Sequence, residues 1–186
     1  MATKNALILI DVQNAFLDKK WGTRNNPKAE GNMKNILTAC RKNEWLIIHI
    51  QHVSDSPDSL FFKDGKGVIF KENFTPLHGE KIIRKKVNSA FIGTDLDEYL
   101  NLNEIETVVI VGLTTPHCVS TTTRMSGNLG YRTFLISDGT ASFELVDYNG
   151  YKIDAETIHH ITLTTLHEEF ATVISTQDFL EIFDRL

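Results

Sequence analysis

Cysteine is scarce in this chain. Cys40 and Cys118 are the two among 186 residues, and their settings differ so much that they imply no disulfide framework, which points to a reducing cytosol. Basic residues never gather: no run of Lys and Arg exceeds Arg84-Lys85-Lys86, and the net charge of -5 is spread without blocks. A nucleic-acid or anionic-membrane surface is therefore not expected. Long apolar runs are missing too. The stretch Ala6–Ile10 is stopped by Asp11, which is too soon for a signal-peptide core or a membrane span. No internal repeat or linker interrupts the rest. What is present, 41% hydrophobic and 23% charged residues, suits one domain over residues 1–186 with a full core. Its expected partners are a small-molecule substrate and further copies of itself, as a dimer or tetramer.

Strand-like runs alternate with helix-like ones. This is the pattern of an α/β fold, a mostly parallel six-stranded sheet with helices on both faces. The strands are expected at Ala6–Ile10, Trp45–Ile50, Lys81–Arg84, Thr107–Val111, Thr133–Ser137 and Ala171–Ser175. Helices are expected at 31–43, 95–101, 117–129, 154–168 and 177–185, with Thr94 and Asp97 as a capping pair for the second. Met33, Ile36, Leu37 and Cys40 recur at helical spacing, which makes Cys40 a core residue. Residues 52–76 lack clear periodicity and read as a long excursion over one end of the sheet, where function often resides.

Cys118 sits elsewhere. Val108-Val109-Ile110-Val111 reads as a strand buried on both faces, closed by Gly112. Thr115 then suits a helix cap and Pro116 the first helical position, so Cys118 falls in the first turn, where N–H groups lack partners. A thiol there feels the positive end of the helix dipole, which favours thiolate. The competing reading is a small core hydrophobe. Open α/β sheets bind ligands beyond the carboxyl ends of their strands. Asp11 ends the first strand, Lys85 follows the third and Cys118 the fourth, so a single pocket can collect all three.

The segments ALILIDVQNAFLD, IIRKKVNSAFIGTDLDEYL and VVIVGLTTPHCVSTTTRMSGNLGY, with a trailing SDGTASF, resemble the isochorismatase-like cysteine hydrolases, which include nicotinamidases, N-carbamoyl amidases and streptothricin hydrolase. The resemblance covers nearly the whole chain. It implies a doubly wound sheet of strand order 3-2-1-4-5-6 and a catalytic Asp, Lys and Cys, matched here by Asp11, Lys85 and Cys118. The family's lysine stands four residues before the serine of Ser-Ala-Phe, and Ser89 then selects Lys85 over Lys86. A cis peptide at Leu113–Thr114, aiming the Thr114 and Cys118 N–H groups at an oxyanion, is also implied.

Such a set supports amide, ureide or lactam hydrolysis through a thioester. Vinyl ether hydrolysis and thiol redox chemistry are the alternatives; a silent oligomeric scaffold has no need of the three motifs. Phe16, Trp21 and Phe91 are candidate pocket walls, though aromatics near strand ends are more often core. His117, next to the nucleophile, is a further candidate pocket residue, but adjacent helix residues diverge, which makes it a weak candidate for the base. The metal-binding Asp and His of nicotinamidases are answered by Gln51 and Val53, and His49 and His52 point to opposite faces of a strand, so no metal and no cofactor are expected. His159 and His160 read as surface residues.

Overall fold

A computed structural model describes residues 4–183. Its strands are β1 (Lys4–Ile10), β2 (Leu46–His52), β3 (Lys81–Lys85), β4 (Ile105–Leu113), β5 (Arg132–Ala141), β6 (Leu145–Val146), β7 (Lys152–Ile153) and β8 (Thr172–Ile174). The helices are α1 (Ala29–Lys42), α2 (Leu96–Leu102), α3 (Ser120–Asn128), α4 (Ala155–Leu166) and α5 (Thr176–Phe183). Six strands form one parallel sheet in the order β3-β2-β1-β4-β5-β8. This is the expected order, with β8 as its sixth strand. The antiparallel ribbon of β6 and β7 was not anticipated, because two-residue strands carry no periodicity.

Alternation along β1 divides the core between the two faces of the sheet. Leu7 and Leu9 pack with Met33, Ile36, Leu37 and Cys40 of α1 and with Phe179 and Phe183 of α5. Ala6, Ile8 and Ile10 pack on the other face with Leu96 and Leu100 of α2, Val119 and Leu166. Each such aliphatic side chain contributes about 1.5–3 kcal/mol when fully buried. Because both faces are covered, the middle of the two central strands is apolar without a break, Ala6–Ile10 in β1 and Val108–Val111 in β4, which is why they are continuous runs in the sequence.

Several boundaries differ from expectation. The fourth strand runs into a π-type turn, Thr115–Val119, before α3 begins, so Cys118 lies in that turn and not in the first turn of an α-helix. Thr115 is not the cap; Thr114 occupies the extended cap position without a side-chain bond. Asp95, without a side-chain bond, holds the cap position of α2; Thr94 Oγ1 accepts from the Leu96 N–H at 3.4 Å, but Asp97 does not complete the expected capping pair. Thr94 Oγ1 also donates to the Ala90 carbonyl, and Asp97 accepts from the Tyr131 hydroxyl at 2.7 Å. The fourth helix is capped by Asp154, which accepts from the Thr157 N–H at 2.9 Å. The last two residues expected in the fifth helix, 184–185, lie outside the described residues.

Gly112 shows why the sheet can close up beneath the turn. It pairs with Ile10, its φ is +132°, and a Cβ there would lie 2.1 Å from the Ile10 carbonyl oxygen. Only glycine permits that approach.

Candidate active site

The parallel register brings Asp11, Lys85 and Cys118 together at the carboxyl edge of the sheet. Asp11 follows β1 in left-handed backbone, φ +49°, a conformation Asp tolerates better than most residues. Its N–H donates to the Ile50 carbonyl at 3.1 Å, tying it to the end of β2. Lys85 closes β3 opposite His52. Its ammonium donates to Asp11 Oδ2 at 2.7 Å, and both side chains are fully buried. Lys86, one residue on, turns outward to pair with the exposed Asp55. Of the two lysines, Lys85, the one its spacing to Ser89 selects, is buried against Asp11, and Lys86 is exposed.

Cys118 is 8% exposed, and one ligand atom each of Asp11, His52 and Cys118 lies within 4.8 Å of the others. Its Sγ is 4.0 Å from His52 Nδ1 and 3.8 Å from Asn88 Oδ1. Asp11 Oδ1 is buried with no hydrogen-bond partner, so this carboxylate keeps an acceptor in reserve beside the thiol.

Electrostatics here is governed by desolvation. Burial raises the Asp11 carboxyl above its usual range, opposed by the Lys85 charge and hydrogen bond. Burial, then the Asp11 charge, push the Cys118 thiol up to about 12. The helix-dipole expectation of a lowered thiol value is therefore overturned: an enclosed thiol beside a carboxylate loses more from missing water than a turn of backbone returns. Raising the carboxyl nevertheless makes it a stronger base toward the thiol proton beside it.

His52 completes the cluster and was not singled out as a site residue from the sequence. It accepts from Lys85 Nζ at Nδ1, 3.0 Å away, while burial and then the Lys85 charge push its pKa down to about 4. Its backbone is clamped by the fully buried Gln13, whose Nε2 donates to the His52 carbonyl at 3.0 Å and whose Oε1 accepts from the His52 N–H at 2.9 Å. His49, three residues earlier, faces Glu80 at 2.8 Å. The two histidines do diverge, but one of them enters the site. Nothing local in the sequence marks Gln13; only long-range pairing reveals it.

The turn that carries Cys118 is anchored from below. Leu113–Thr114 is a cis peptide, and the Thr114 carbonyl accepts from the His117 and Val119 N–H groups. His117 is exposed, with Nδ1 3.0 Å from Thr114 Oγ1. Thr115 Oγ1 pairs with His159 Nδ1 at 2.9 Å. His159 is buried beneath the turn, contrary to the surface position expected for it, whereas His160 is exposed.

Phe16 and Trp21 join Phe61 and Phe143 in an aromatic cluster, with ring centroids 5.0 to 6.3 Å apart. Phe61, delivered by the 52–76 excursion, lies 4.9 Å from the His52 ring. A cavity of about 180 Å³ borders this wall, lined by Trp21, Thr114, His117 and Phe143 among others. Phe91 does not join the cluster; it stacks on Tyr131 at 6.2 Å.

Asp11, His52 and Cys118 also have the donor types of a metal site. Lys85 Nζ, however, lies against Asp11 and His52, where a cation would have to be. Gln51 donates to the Val68 carbonyl and accepts from Arg84, and Val53 offers only backbone. This residue set does not fit a resident metal ion.

The isochorismatase domain model matches residues 5–178. The uncharacterized isochorismatase family protein YrdC of Bacillus subtilis (strain 168) is 58% identical over 183 residues, 98% of each chain. The crystal structure of an isochorismatase-family protein from Chromobacterium violaceum ATCC 12472 matches with a TM-score of 0.96 at 37% identity, over 100% of this chain and 96% of that one. More distant are nicotinamidase 3 of Arabidopsis thaliana, 26% identical over 91% of this chain and 83% of its own, and an N-carbamoylsarcosine amidase from an Arthrobacter species, 29% identical over 62% of this chain and 39% of its own. Sheet order, family model and full-length relatives agree: the chain belongs to the isochorismatase family.

Proposed function

We propose that the protein is a cysteine-dependent, metal-independent hydrolase of a small amide, ureide or lactam, working through a thioester in the cytoplasm. The observation that carries this reading is the buried Lys85–Asp11 ion pair set against Cys118 at the carboxyl edge of the sheet. Relatives named nicotinamidase and N-carbamoylsarcosine amidase lend support.

On this reading Asp11 accepts the thiol proton, and the Cys118 thiolate attacks the substrate carbonyl to form the C–S bond. The Thr114 and Cys118 N–H groups receive the developing oxyanion. Collapse breaks the C–N bond, with Asp11 returning the proton to the departing amine. Water, deprotonated by Asp11, then attacks the thioester; the acid leaves and the thiol is restored. Lys85 keeps Asp11 ionised at the moments it must act as base, and its charge offsets that of the forming thiolate.

Redox chemistry at Cys118 finds little support. The second cysteine, Cys40, packs with the α1 core on the opposite face of the sheet and has no route to resolve a sulfenic acid. Vinyl ether hydrolysis needs no thiol, so it leaves the buried cysteine without a purpose.

The test is a product-release screen run with wild-type protein and Cys118→Ala, reading ammonia from primary amides and ureides and the ring-opened amino acid from lactams by mass spectrometry. Release by wild type alone is the expected result. Wild-type protein inert across all three classes, or a variant as active as wild type, overturns the proposal.

A further inference from the structure

Two side chains, Asn88 and His52, face Cys118 without taking part in the proton transfers above, and the hydrogen bonds of His52 define its chemical form. The Lys85 ammonium, 3.0 Å from Nδ1, can only donate to it; Cys118 Sγ lies 4.0 Å from the same nitrogen, with its S–H directed to Asn88 Oδ1 at 3.8 Å. Asp11 Oδ2, the acceptor that would favour a proton on Nδ1, is 4.0 Å away and already taken by Lys85 at 2.7 Å. Nδ1 is thus an acceptor, and a neutral imidazole with an acceptor at Nδ1 carries its hydrogen on Nε2. Burial and the Lys85 charge, which push the pKa to about 4, keep the ring neutral at ordinary pH.

Nε2 has no hydrogen-bond partner among the described residues, yet the ring is 18% exposed and is not among the buried unsatisfied groups. It therefore keeps contact with accessible space, on a ring whose other nitrogen lies 4.0 Å from Cys118 Sγ. The ring is also fixed in place: Gln13 holds the backbone on both sides, and Phe61 covers it at 4.9 Å. A rigid, half-desolvated donor beside the nucleophile costs little to organise when it binds an acceptor, and is left unpaired by a ligand without one.

We propose that His52 is a specificity-determining residue whose Nε2–H binds a second acceptor next to the scissile carbonyl, so that the enzyme selects amides carrying an adjacent carbonyl over simple amides. This inference rests on the amidase reading and narrows it to a substrate class, with the Phe16–Trp21–Phe61 wall enclosing the remainder of a small ligand. Sites built around a buried donor discriminate against analogues that lack the matching acceptor.

The experiment compares pyruvamide with isobutyramide, which replaces the keto group by an isosteric branch. The ratio of their kcat/KM values is measured in wild type, His52→Leu and His52→Gln. Intrinsic reactivity cancels when ratios are compared between proteins, and so does any general loss from disturbing Lys85. The ratio is expected to fall about tenfold or more in His52→Leu and to be partly restored by the amide donor of His52→Gln. In parallel, nitrogen NMR of histidine-labelled protein, assigned by difference from His52→Gln, is expected to show the hydrogen on Nε2 and no titration between pH 5 and 8. An unchanged ratio in His52→Leu, or a hydrogen on Nδ1, overturns the inference while leaving the amidase reading intact. Wild-type protein that hydrolyses neither compound overturns the inference, whereas the amidase reading falls only if the ureides and lactams of the wider screen are inert as well.

Discussion

Lys85 Nζ lies 2.7 Å from Asp11 Oδ2, and neither side chain reaches solvent. Removing one member of a buried pair strands the other charge, at a typical cost of about 3–5 kcal/mol. The pair is thus a structural commitment as well as a chemical one. Lys85→Ala should destabilise the fold by about that amount in chemical denaturation and slow iodoacetamide alkylation of Cys118 at any given pH, because the Lys85 charge lowers the thiol pKa. Lys86→Ala should do neither, since Lys86 is an exposed partner of Asp55. Equal alkylation profiles for the two variants contradict the assignment.

Asp11→Asn has the opposite sign at the thiol. The Asp11 charge helps hold Cys118 near 12, so its removal should raise the thiolate fraction and speed alkylation between pH 7 and 10. Hydrolysis should nonetheless be lost, because an amide side chain can neither take nor return the proton. Alkylation slower than wild type, or retained turnover, runs against this role.

Much of this arrangement is legible in the sequence, and for definite reasons. Val108–Val111 is apolar throughout because β4 is covered on both faces, so the strand can be read directly, whereas the π-type form of the turn that presents Cys118 cannot. Asp11 and Lys85 end their strands, and the parallel topology does the rest. His52 and Gln13 escape because their meeting depends on a pairing across 39 residues that no local pattern encodes. His159 escapes for a related reason: beside His160 on a helix it reads as surface, and only the turn above it supplies the Thr115 hydroxyl that makes its burial tolerable. The thiol pKa was misjudged because the helix-dipole argument ignores desolvation, which dominates at 8% exposure.

Glu30 governs part of the acid response. Burial alone would raise its carboxyl, but hydrogen bonds from Arg24 and Lys71 outweigh that and hold it at about 2, against an ordinary value of 4.5. A carboxyl depressed in the folded state adds stability that is fully present above the unfolded value and is lost as pH falls from 4.5 toward 2. Glu30→Gln should therefore lose on the order of 2–3 kcal/mol at pH 7 and show a flatter stability profile in that acid window. Parallel profiles for wild type and variant in urea titrations exclude this contribution.

Activity should survive exhaustive chelation, because Lys85 stands where a cation would compete for Asp11 and His52. The check is turnover before and after dialysis against EDTA, with Zn²⁺, Fe²⁺ and Mn²⁺ added back. Loss on chelation and recovery with one of these ions contradicts the metal-independent reading.

The central claim is that Cys118 forms a covalent acyl intermediate, and acid-quenched mass spectrometry during turnover of an amide found in the screen tests it most directly. Wild-type protein and Cys40→Ala should both carry the acyl mass on the Cys118 peptide, and hydroxylamine should remove it; Cys40→Ala should lose only packing stability, about 1–2 kcal/mol. Cys118→Ala should fold normally, carry no adduct and release no ammonia. Cys118→Ala turning over the same amide near the wild-type rate would contradict the account.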